Sequence, residues 1–226
     1  MESPLFSRAG YQFNSRKNKQ DRVDIVNETV EGTGFKIRPK LSTREIQVYQ
    51  SGNDYHISGP GTDLHGDSRK QDIQDDIQIL FGSQEQSNHF RLRRNRIKKD
   101  IRAILKENPN AQINLSGHSL AGSVMINALN DKFINDNVNQ VHTYNVGSSP
   151  IFDTPFTGNA TKITNHLVRG DPISSGKIPG KKVFQKPLPG TQLNNAVVSA
   201  VSEIVLPNSI AEVLGNLTLH SLDHFL

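Results

Sequence analysis

Ser119 lies at a sharp corner predicted between a strand and a helix. Around it, the stretch "INLSGHSLAGSV" has an apolar strand pattern before the serine and an apolar helical pattern after it. A serine at such a corner, a nucleophile elbow, holds its hydroxyl clear of the sheet, where it can attack a carbonyl. The positions two before and two after it must be small, and here they are Gly117 and Ala121. The helix that follows would direct the N–H of Leu120 at the reacting oxygen as an oxyanion donor.

A capping serine is the alternative interpretation of the same residues, because serine often precedes the first turn of a helix. Ala121 also departs from the glycine that is usual at its position, and it adds one methyl group. We expect the neighbouring Gly122 to help absorb that methyl group.

A serine hydroxyl needs a base to take its proton, and the base needs a carboxylate to orient it. At an elbow of this kind the chain order is serine, acid, histidine. Asp171 follows a predicted strand in "HLVRGDPIS", where an Asp-Pro turn is the alternative, and Asp153 is a weaker candidate acid. The histidines after Asp171 are His220 and His224, so either one keeps the order.

The elements that must position these residues alternate along the chain. "EIQVYQ" and "YHISG" flank a "SGND" turn and predict a β-hairpin, and 90–108 predicts a helix with one apolar stripe. "QINLSG", "QVHTYNVG" and "ITNHLVRG" predict three further strands, with a helix after the first of them. This alternation favours an α/β fold with a largely parallel sheet.

The two ends of the chain have less regular patterns. Residues 1–40 are polar and basic without clear periodicity, and we interpret them as an arm that is loosely ordered or packed on the surface of a domain spanning 41–226. After Asp171 a Pro/Gly/Lys-rich loop precedes an apolar segment, 193–219, expected to pack on the core and deliver His220.

Several of these motifs, in the same order, resemble those of the class 3 (fungal-type) lipases. "GHSLAG" resembles that family's "GHSLGG". "YHISGPGTDLHG" resembles its strand ending in Arg-Gly-Thr, with Pro60 in place of the arginine. "DIQDDI" resembles its acidic helix, and "YNVGSSP" resembles its "FGSP". The resemblance covers roughly residues 45–172, with a weaker match at 220–225. It implies an α/β-hydrolase fold with a mostly parallel central sheet and helices on both faces.

The resemblance also implies roles for individual residues. Asp171 matches the family's catalytic aspartate, and His220, followed by Phe225, matches its catalytic histidine. Thr62 matches the second oxyanion donor, through its backbone N–H, with Gly61 permitting the close approach. The lid of the family corresponds to about 66–95.

The implied activity is that of a lipase or esterase, a serine hydrolase that cleaves the carboxylic ester bond of a triacylglycerol or a phospholipid. Ser119, His220 and Asp171 would form its triad, and Thr62 and Leu120 its oxyanion hole. The alternative is a catalytically inactive protein of the same fold with a membrane- or virion-associated binding role, which the departures at Pro60 and Ala121 favour.

Composition excludes some classes of site. The 226 residues contain no cysteine, so disulfides and thiolate metal sites are excluded. The proposed triad needs neither a metal nor a cofactor, and we interpret the acidic stretch "DLHGDSRKQDIQDD" as a solvated helix face.

Charge and hydropathy bear on partners. A net charge of +4 favours encounters with anionic surfaces. Six cations form either a solvated helix face or a candidate docking patch for an anionic membrane: Arg91, Arg93, Arg94, Arg96, Lys98 and Lys99. Nucleic acid is disfavoured because no aromatic residues are interleaved with these cations. The sequence shows neither a signal peptide nor a transmembrane pattern, so we expect a cytoplasmic or virion-associated protein, with a viral origin suggested by composition.

Overall fold

The structure, a computed structural model, describes residues 3–15, 18–61, 88–147, 156–169, 171, 174 and 177–186. Within these ranges the α-helices are α1 (Ser3–Ser15), α2 (Lys19–Thr29), α3 (Asn88–Glu107), α4 (Leu120–Ala128) and α5 (Lys132–Asn137). The strands are β1 (Lys36–Ile37), β2 (Gln47–Ser51), β3 (Asp54–Gly59), β4 (Gln112–His118), β5 (Gln140–Tyr144), β6 (Ile163–Val168) and β7 (Lys181–Gln185).

One sheet contains all seven of these strands, arranged side by side in chain order. Strand β2 runs antiparallel to both of its neighbours, β1 and β3, whereas β3 to β7 run parallel. The predicted hairpin is confirmed: Ser51 pairs with Asp54 across a two-residue loop. Gly52 in that loop has φ 56°, a conformation that only glycine adopts easily and that a tight hairpin loop requires.

Helix α3 carries the apolar stripe that its sequence predicts. Ile97, Ile101 and Ile104 are fully buried, and they form one core with inward-facing residues of the sheet such as Ile57 and Leu115. Helix α4 packs beside α3 and over β4, so these helices cover one face of the sheet.

The N-terminal helices cover part of the other face. Phe6 and Phe13 of α1 and Val26 of α2 form a second buried cluster with Tyr49 of β2. Helix α1 lies against β3 and β4. The sequence indicated an arm here without periodicity, but the structure has two helices, because the burial of a few aromatic and aliphatic side chains between α1, α2 and β2 stabilises helices whose own sequence pattern is weak. The domain boundary at residue 40 stays a prediction.

Strand β7 lies in the Lys-rich stretch that the sequence indicated as a loop. It pairs in parallel with β6, with Leu167 opposite Phe184, and forms one edge of the described sheet. Most of its side chains are exposed, so the apolar alternation that marks a strand in a sequence is missing.

The predicted fold class is confirmed. The chain has an α/β-hydrolase-type fold, with a mostly parallel central sheet and helices on both faces. Among the helices of the described residues, none combines the length and the hydropathy needed to cross a membrane.

Candidate active site

Ser119 occupies a strained backbone conformation between β4 and α4. Its φ and ψ are 53° and −124°, a region that non-glycine residues enter at a cost of about 1–3 kcal/mol. Two backbone hydrogen bonds hold it there: the Ser119 N–H donates to the Tyr144 carbonyl at 3.0 Å, and the Gly147 N–H donates to the Ser119 carbonyl at 3.2 Å. The end of β5 therefore stabilises the corner.

The serine hydroxyl does not cap the helix that follows. Ser119 is the residue before α4, but its side chain makes no capping hydrogen bond with the N–H groups of the first turn. The capping alternative is therefore wrong for this residue. The predicted arrangement of strand, strained serine and helix is confirmed, and Leu120 begins the helix whose positive end faces the corner.

The positions two away from Ser119 have little space around them. A Cβ atom on Gly117 would lie 2.5 Å from the carbonyl carbon of Ala121 and 2.6 Å from Gly122 N, so only glycine fits there. The Ala121 methyl group lies toward Gly59 of β3, where a Cβ would be 3.3 Å away. The extra methyl group is therefore accommodated by a second glycine, on the neighbouring strand.

Asp171 lies beyond the carboxyl end of β6, two strands away from β4. Strands β4 and β6 flank β5, which places them about 10 Å apart in the sheet. Asp171 is 5% exposed, and its carboxylate accepts a hydrogen bond from the Ser174 hydroxyl at 2.8 Å. Ser174 was not predicted; its position three residues after the aspartate, beyond a proline, is the signal of a local Asp–Ser turn.

Asn145 joins the serine corner to the strand that carries the aspartate. It follows β5 with φ 41°, and it is fully buried. Its N–H donates to the His166 carbonyl at 2.9 Å, and its side-chain oxygen accepts from the Val168 N–H at 2.9 Å. Asn adopts the left-handed conformation more easily than most residues, so an Asn directly after a predicted strand was the available sequence signal for this contact.

The loop after β3 lies against the serine corner. A Cβ on Gly61 would be 2.9 Å from Ser119 Cβ and 2.8 Å from the His118 carbonyl oxygen. The expected close approach of this loop is confirmed at Gly61. The Gly61 N–H donates to the Tyr11 hydroxyl at 2.8 Å, so the loop is held by helix α1 at the point where Pro60 replaces the arginine of the resembling family.

His118, which directly precedes the candidate nucleophile, forms a buried hydrogen bond with helix α1. Its Nδ1 lies 2.8 Å from the Tyr11 hydroxyl, and its side chain is 6% exposed.

Several predicted site residues lie outside the described residues. They are the oxyanion residue Thr62, the alternative acid Asp153, the candidate bases His220 and His224, and the lid region as far as residue 87. The structure therefore describes Ser119, Leu120 and Asp171 of the predicted set.

A polar chain runs beneath α1 on the same face of the sheet as His118. His56 Nε2 lies 2.8 Å from the Ser116 hydroxyl, which donates to Ser58 at 2.9 Å, and Ser58 is 3.3 Å from Ser7 of α1. Burial lowers the pKa of His56 to about 3, with the nearby His142 adding to the effect. His56 is therefore a neutral structural histidine.

His142 and His166 form a histidine pair on that face, across β5 and β6. Their ring nitrogens Nδ1 and Nε2 lie 3.3 Å apart, and the His166 ring stacks on Tyr144 with centroids 4.9 Å apart. Burial lowers the pKa of both, that of His166 to about 4. In the described part of the chain, no three His, Cys, Asp or Glu residues come together as metal ligands.

Only some of the six cations of the predicted basic patch lie on the surface. Arg93 is buried, which removes it from any docking face. Arg96 pairs with Asp100 at 2.8 Å and donates to the Leu41 carbonyl, and Lys98 pairs with Asp131 at 2.7 Å. The remaining members of the six are Arg91 and Lys99, which are exposed, and Arg94, which is half-buried.

Comparisons with known proteins establish no family for the chain. Neither a protein-family model nor a curated protein sequence matches the chain. Among solved structures it is similar to Lip2 lipase from Yarrowia lipolytica, at 14% identity and TM-score 0.49, with 82% of this chain and 79% of that chain covered. It is also similar to lipase II from Rhizopus niveus, at 14% identity and TM-score 0.46, with 81% and 77% covered. The lipase from Rhizopus microsporus var. chinensis matches at 14% identity and TM-score 0.45, with 80% and 72% covered.

Proposed function

We propose that the chain is a serine hydrolase that cleaves carboxylic esters of lipids. Ser119 is the nucleophile, His220 the general base and Asp171 the carboxylate that orients the base. The observation that carries the proposal is the strained backbone of Ser119, since a conformation costing about 1–3 kcal/mol is retained where a side chain must be presented in one direction.

The reaction would proceed by acyl transfer. The Ser119 hydroxyl attacks the ester carbonyl while His220 takes its proton, and the same histidine later protonates the leaving alcohol. The N–H groups of Leu120 and Thr62 bind the oxyanion, and water then releases the acid from the acyl-enzyme.

Three features of the described residues support this chemistry. The N-terminus of α4 follows Ser119 directly, which favours negative charge at the corner. Asp171 is buried and accepts a hydrogen bond from Ser174. A carboxylate that orients a base needs such a contact to keep its own orientation. The two residues follow alternate strands at the same edge of the parallel sheet, so one histidine could bridge them.

The substrate class rests on the resemblance of the sequence motifs to the class 3 lipases, which leaves triacylglycerol and phospholipid as the two candidates. Arg91 and Lys99 are the exposed cations of the predicted patch that would approach an anionic lipid surface. The rival proposal is a catalytically inactive protein of this fold that binds a membrane or a virion.

A fluorophosphonate probe followed by intact-mass analysis tests the proposal. We expect one adduct on the wild-type chain and none on Ser119→Ala. Ser123→Ala is the matched control, because Ser123 lies four residues further along, is also buried and has its hydroxyl bonded to the Gly147 carbonyl. That control is expected to keep the adduct.

The same assay distinguishes the two candidate bases, and it tests the rival proposal of a catalytically inactive protein. His220→Ala is expected to lower the labelling rate by at least 100-fold and His224→Ala to leave it near the wild-type value. A folded wild-type chain that takes up no probe would contradict the proposal and favour the inactive protein. Triacylglycerol emulsions and phospholipid vesicles then distinguish the two substrate classes by the acid released.

A further inference from the structure

Tyr11 of helix α1 contacts both sides of the proposed active site. Its hydroxyl accepts a hydrogen bond from the Gly61 N–H at 2.8 Å and lies 2.8 Å from His118 Nδ1. Its ring lies edge-on to the His118 ring, with centroids 5.9 Å apart and an interplanar angle of 65°. One side chain thus joins the loop after β3 to the residue that directly precedes Ser119.

Helix α1 leaves this loop little room to move. A Cβ on Gly10 would lie 3.1 Å from Pro60 Cδ and 2.6 Å from the Gln47 side-chain oxygen, so the helix backbone rests directly on the loop. A Cβ on Gly61 would lie 2.5 Å from the Tyr11 hydroxyl oxygen. Gly61 is therefore enclosed between Tyr11 on one side and Ser119 on the other.

The contact has a consequence for the oxyanion hole. Because the Gly61 N–H is already bonded to Tyr11, the loop can offer a substrate oxygen only an N–H further along the chain. Glycine has the widest backbone freedom of any residue, so a loop that relies on Gly61 needs an external contact to keep its next peptide group in one orientation.

We propose that Tyr11 is a positioning residue of the active site, which fixes the oxyanion loop against the serine corner by bridging Gly61 and His118. This inference rests on the proposed function. It makes the active site depend on Tyr11, a residue of the segment that the sequence indicated as an arm. Tyr11 does not touch the substrate; it acts through the orientation of the loop and of the corner.

Tyr11→Phe tests the role, since it removes the hydroxyl and keeps the ring. We expect kcat for a soluble 4-nitrophenyl ester, and the rate constant for fluorophosphonate labelling of Ser119, to fall about tenfold, with KM changed less than about twofold. The Gly61 amide proton, followed by NMR hydrogen exchange, is expected to be protected in the wild-type chain and to exchange faster in the variant.

Tyr49→Phe is the matched control. The Tyr49 hydroxyl also ties α1 to the sheet, by donating to the Phe6 carbonyl at 3.3 Å, but it lies away from the corner. We expect Tyr49→Phe to lower thermal stability at least as much as Tyr11→Phe and to leave kcat and the labelling rate near wild type.

The outcomes separate this inference from the proposed function. If the wild-type chain is labelled and Tyr11→Phe and Tyr49→Phe are labelled at equal rates, the role of Tyr11 is overturned. The proposed hydrolase function is not affected by that result. An unlabelled wild-type chain would overturn the hydrolase and with it the catalytic role of Tyr11. A Gly61 amide that exchanges without protection in the wild-type chain would overturn the bridge, whether or not Tyr11→Phe folds.

Discussion

Ser119 and Gly117 illustrate how a single corner can depend on the absence of a side chain. Ser119 has a backbone conformation that stores strain, and Gly117 lets strand and helix approach closely enough to impose it. The strain is tolerated because hydrogen bonds to Tyr144 and Gly147 fix both peptide groups of the serine. The geometry of the nucleophile is therefore set by its neighbours more than by the serine itself.

Gly117→Ala is expected to disturb this corner. The new Cβ would lie 2.5–2.6 Å from backbone atoms of Ala121 and Gly122, so the helix must move away from the strand. We expect the free energy of unfolding to fall by about 3 kcal/mol and fluorophosphonate labelling to slow by at least about 100-fold. Urea unfolding and the labelling rate measure the two effects.

Gly32→Ala is the control for that substitution. Gly32 has φ 85° but no atom within 4 Å of an added Cβ, so the change costs about 1–2 kcal/mol of backbone strain and should leave labelling unchanged. Labelling of Gly117→Ala at the wild-type rate would show that the close approach is not needed.

At this scale the sequence predicted contacts between near neighbours and missed distant ones. Ser119, Gly117 and Leu120 are recognisable because their roles follow from spacing within a few residues. The contact between Tyr11 and His118 joins residues 107 apart in the chain, and no local pattern marks it.

Helices α1 and α3 show the same contrast between elements. The stripe of α3 recurs at helical spacing from Ile97 to Ile104, so its sequence predicted its buried face, and its bounds to within two residues. Helix α1 buries Phe6, Ala9 and Phe13, which are spaced as a helical face but are interrupted by polar residues and glycine. Strand β7 was missed because an exposed edge strand lacks apolar alternation.

Phe6→Ala tests whether α1 is part of the core. Phe6 is 2% exposed, and its ring packs on Phe35, Tyr49 and His56 with centroids 5.1, 4.8 and 4.2 Å away. We expect the free energy of unfolding to fall by about 3–5 kcal/mol, measured by urea unfolding.

Phe184→Ala provides the comparison, because Phe184 is 53% exposed on the edge strand β7. It should cost less than about 1 kcal/mol. Equal effects of the two substitutions would mean that α1 is a surface appendage, as the sequence suggested.

At the level of the whole molecule, the two faces of the sheet differ in chemistry. The face under α3 and α4 is mostly apolar, with one buried polar pair, Thr143 and Asn165, whereas the opposite face carries histidine and serine side chains on β3 to β6. The sequence predicted the alternation of strands and helices, and so the layers. It could not predict this polar face, since buried parallel strands are expected to be apolar throughout.

The buried histidines make stability depend on pH. The folded chain holds His56, His142 and His166 neutral, with pKa values below the ordinary 6.5 and near 3 and 4 for His56 and His166. Lys181 and the neighbouring histidine add to the shift at His166. Below pH 6.5 the unfolded chain gains protons that the folded chain does not, so stability is present above that pH and is lost as the pH falls toward 4.

Urea unfolding between pH 7.5 and 5.5 measures this loss. One such histidine contributes about 1.4 kcal/mol over that interval, so His56 and His166 together should lower the free energy of unfolding by about 3 kcal/mol, with a further decrease from His142. His56→Gln, which does not titrate, should reduce the decrease by about 1.4 kcal/mol. An unchanged pH profile in this variant would mean that His56 titrates normally.

The bridge from α1 to the serine corner also bears on how the protein is made. A ribosome adds about 5–20 residues per second, so α1 emerges several seconds before strand β4, about 100 residues later, is available to it. During that interval Tyr11 lacks its partner His118, and α1 has β3 but not yet β4 to pack against. Nascent chains should therefore be most prone to aggregation, and most dependent on chaperones, before β4 is translated.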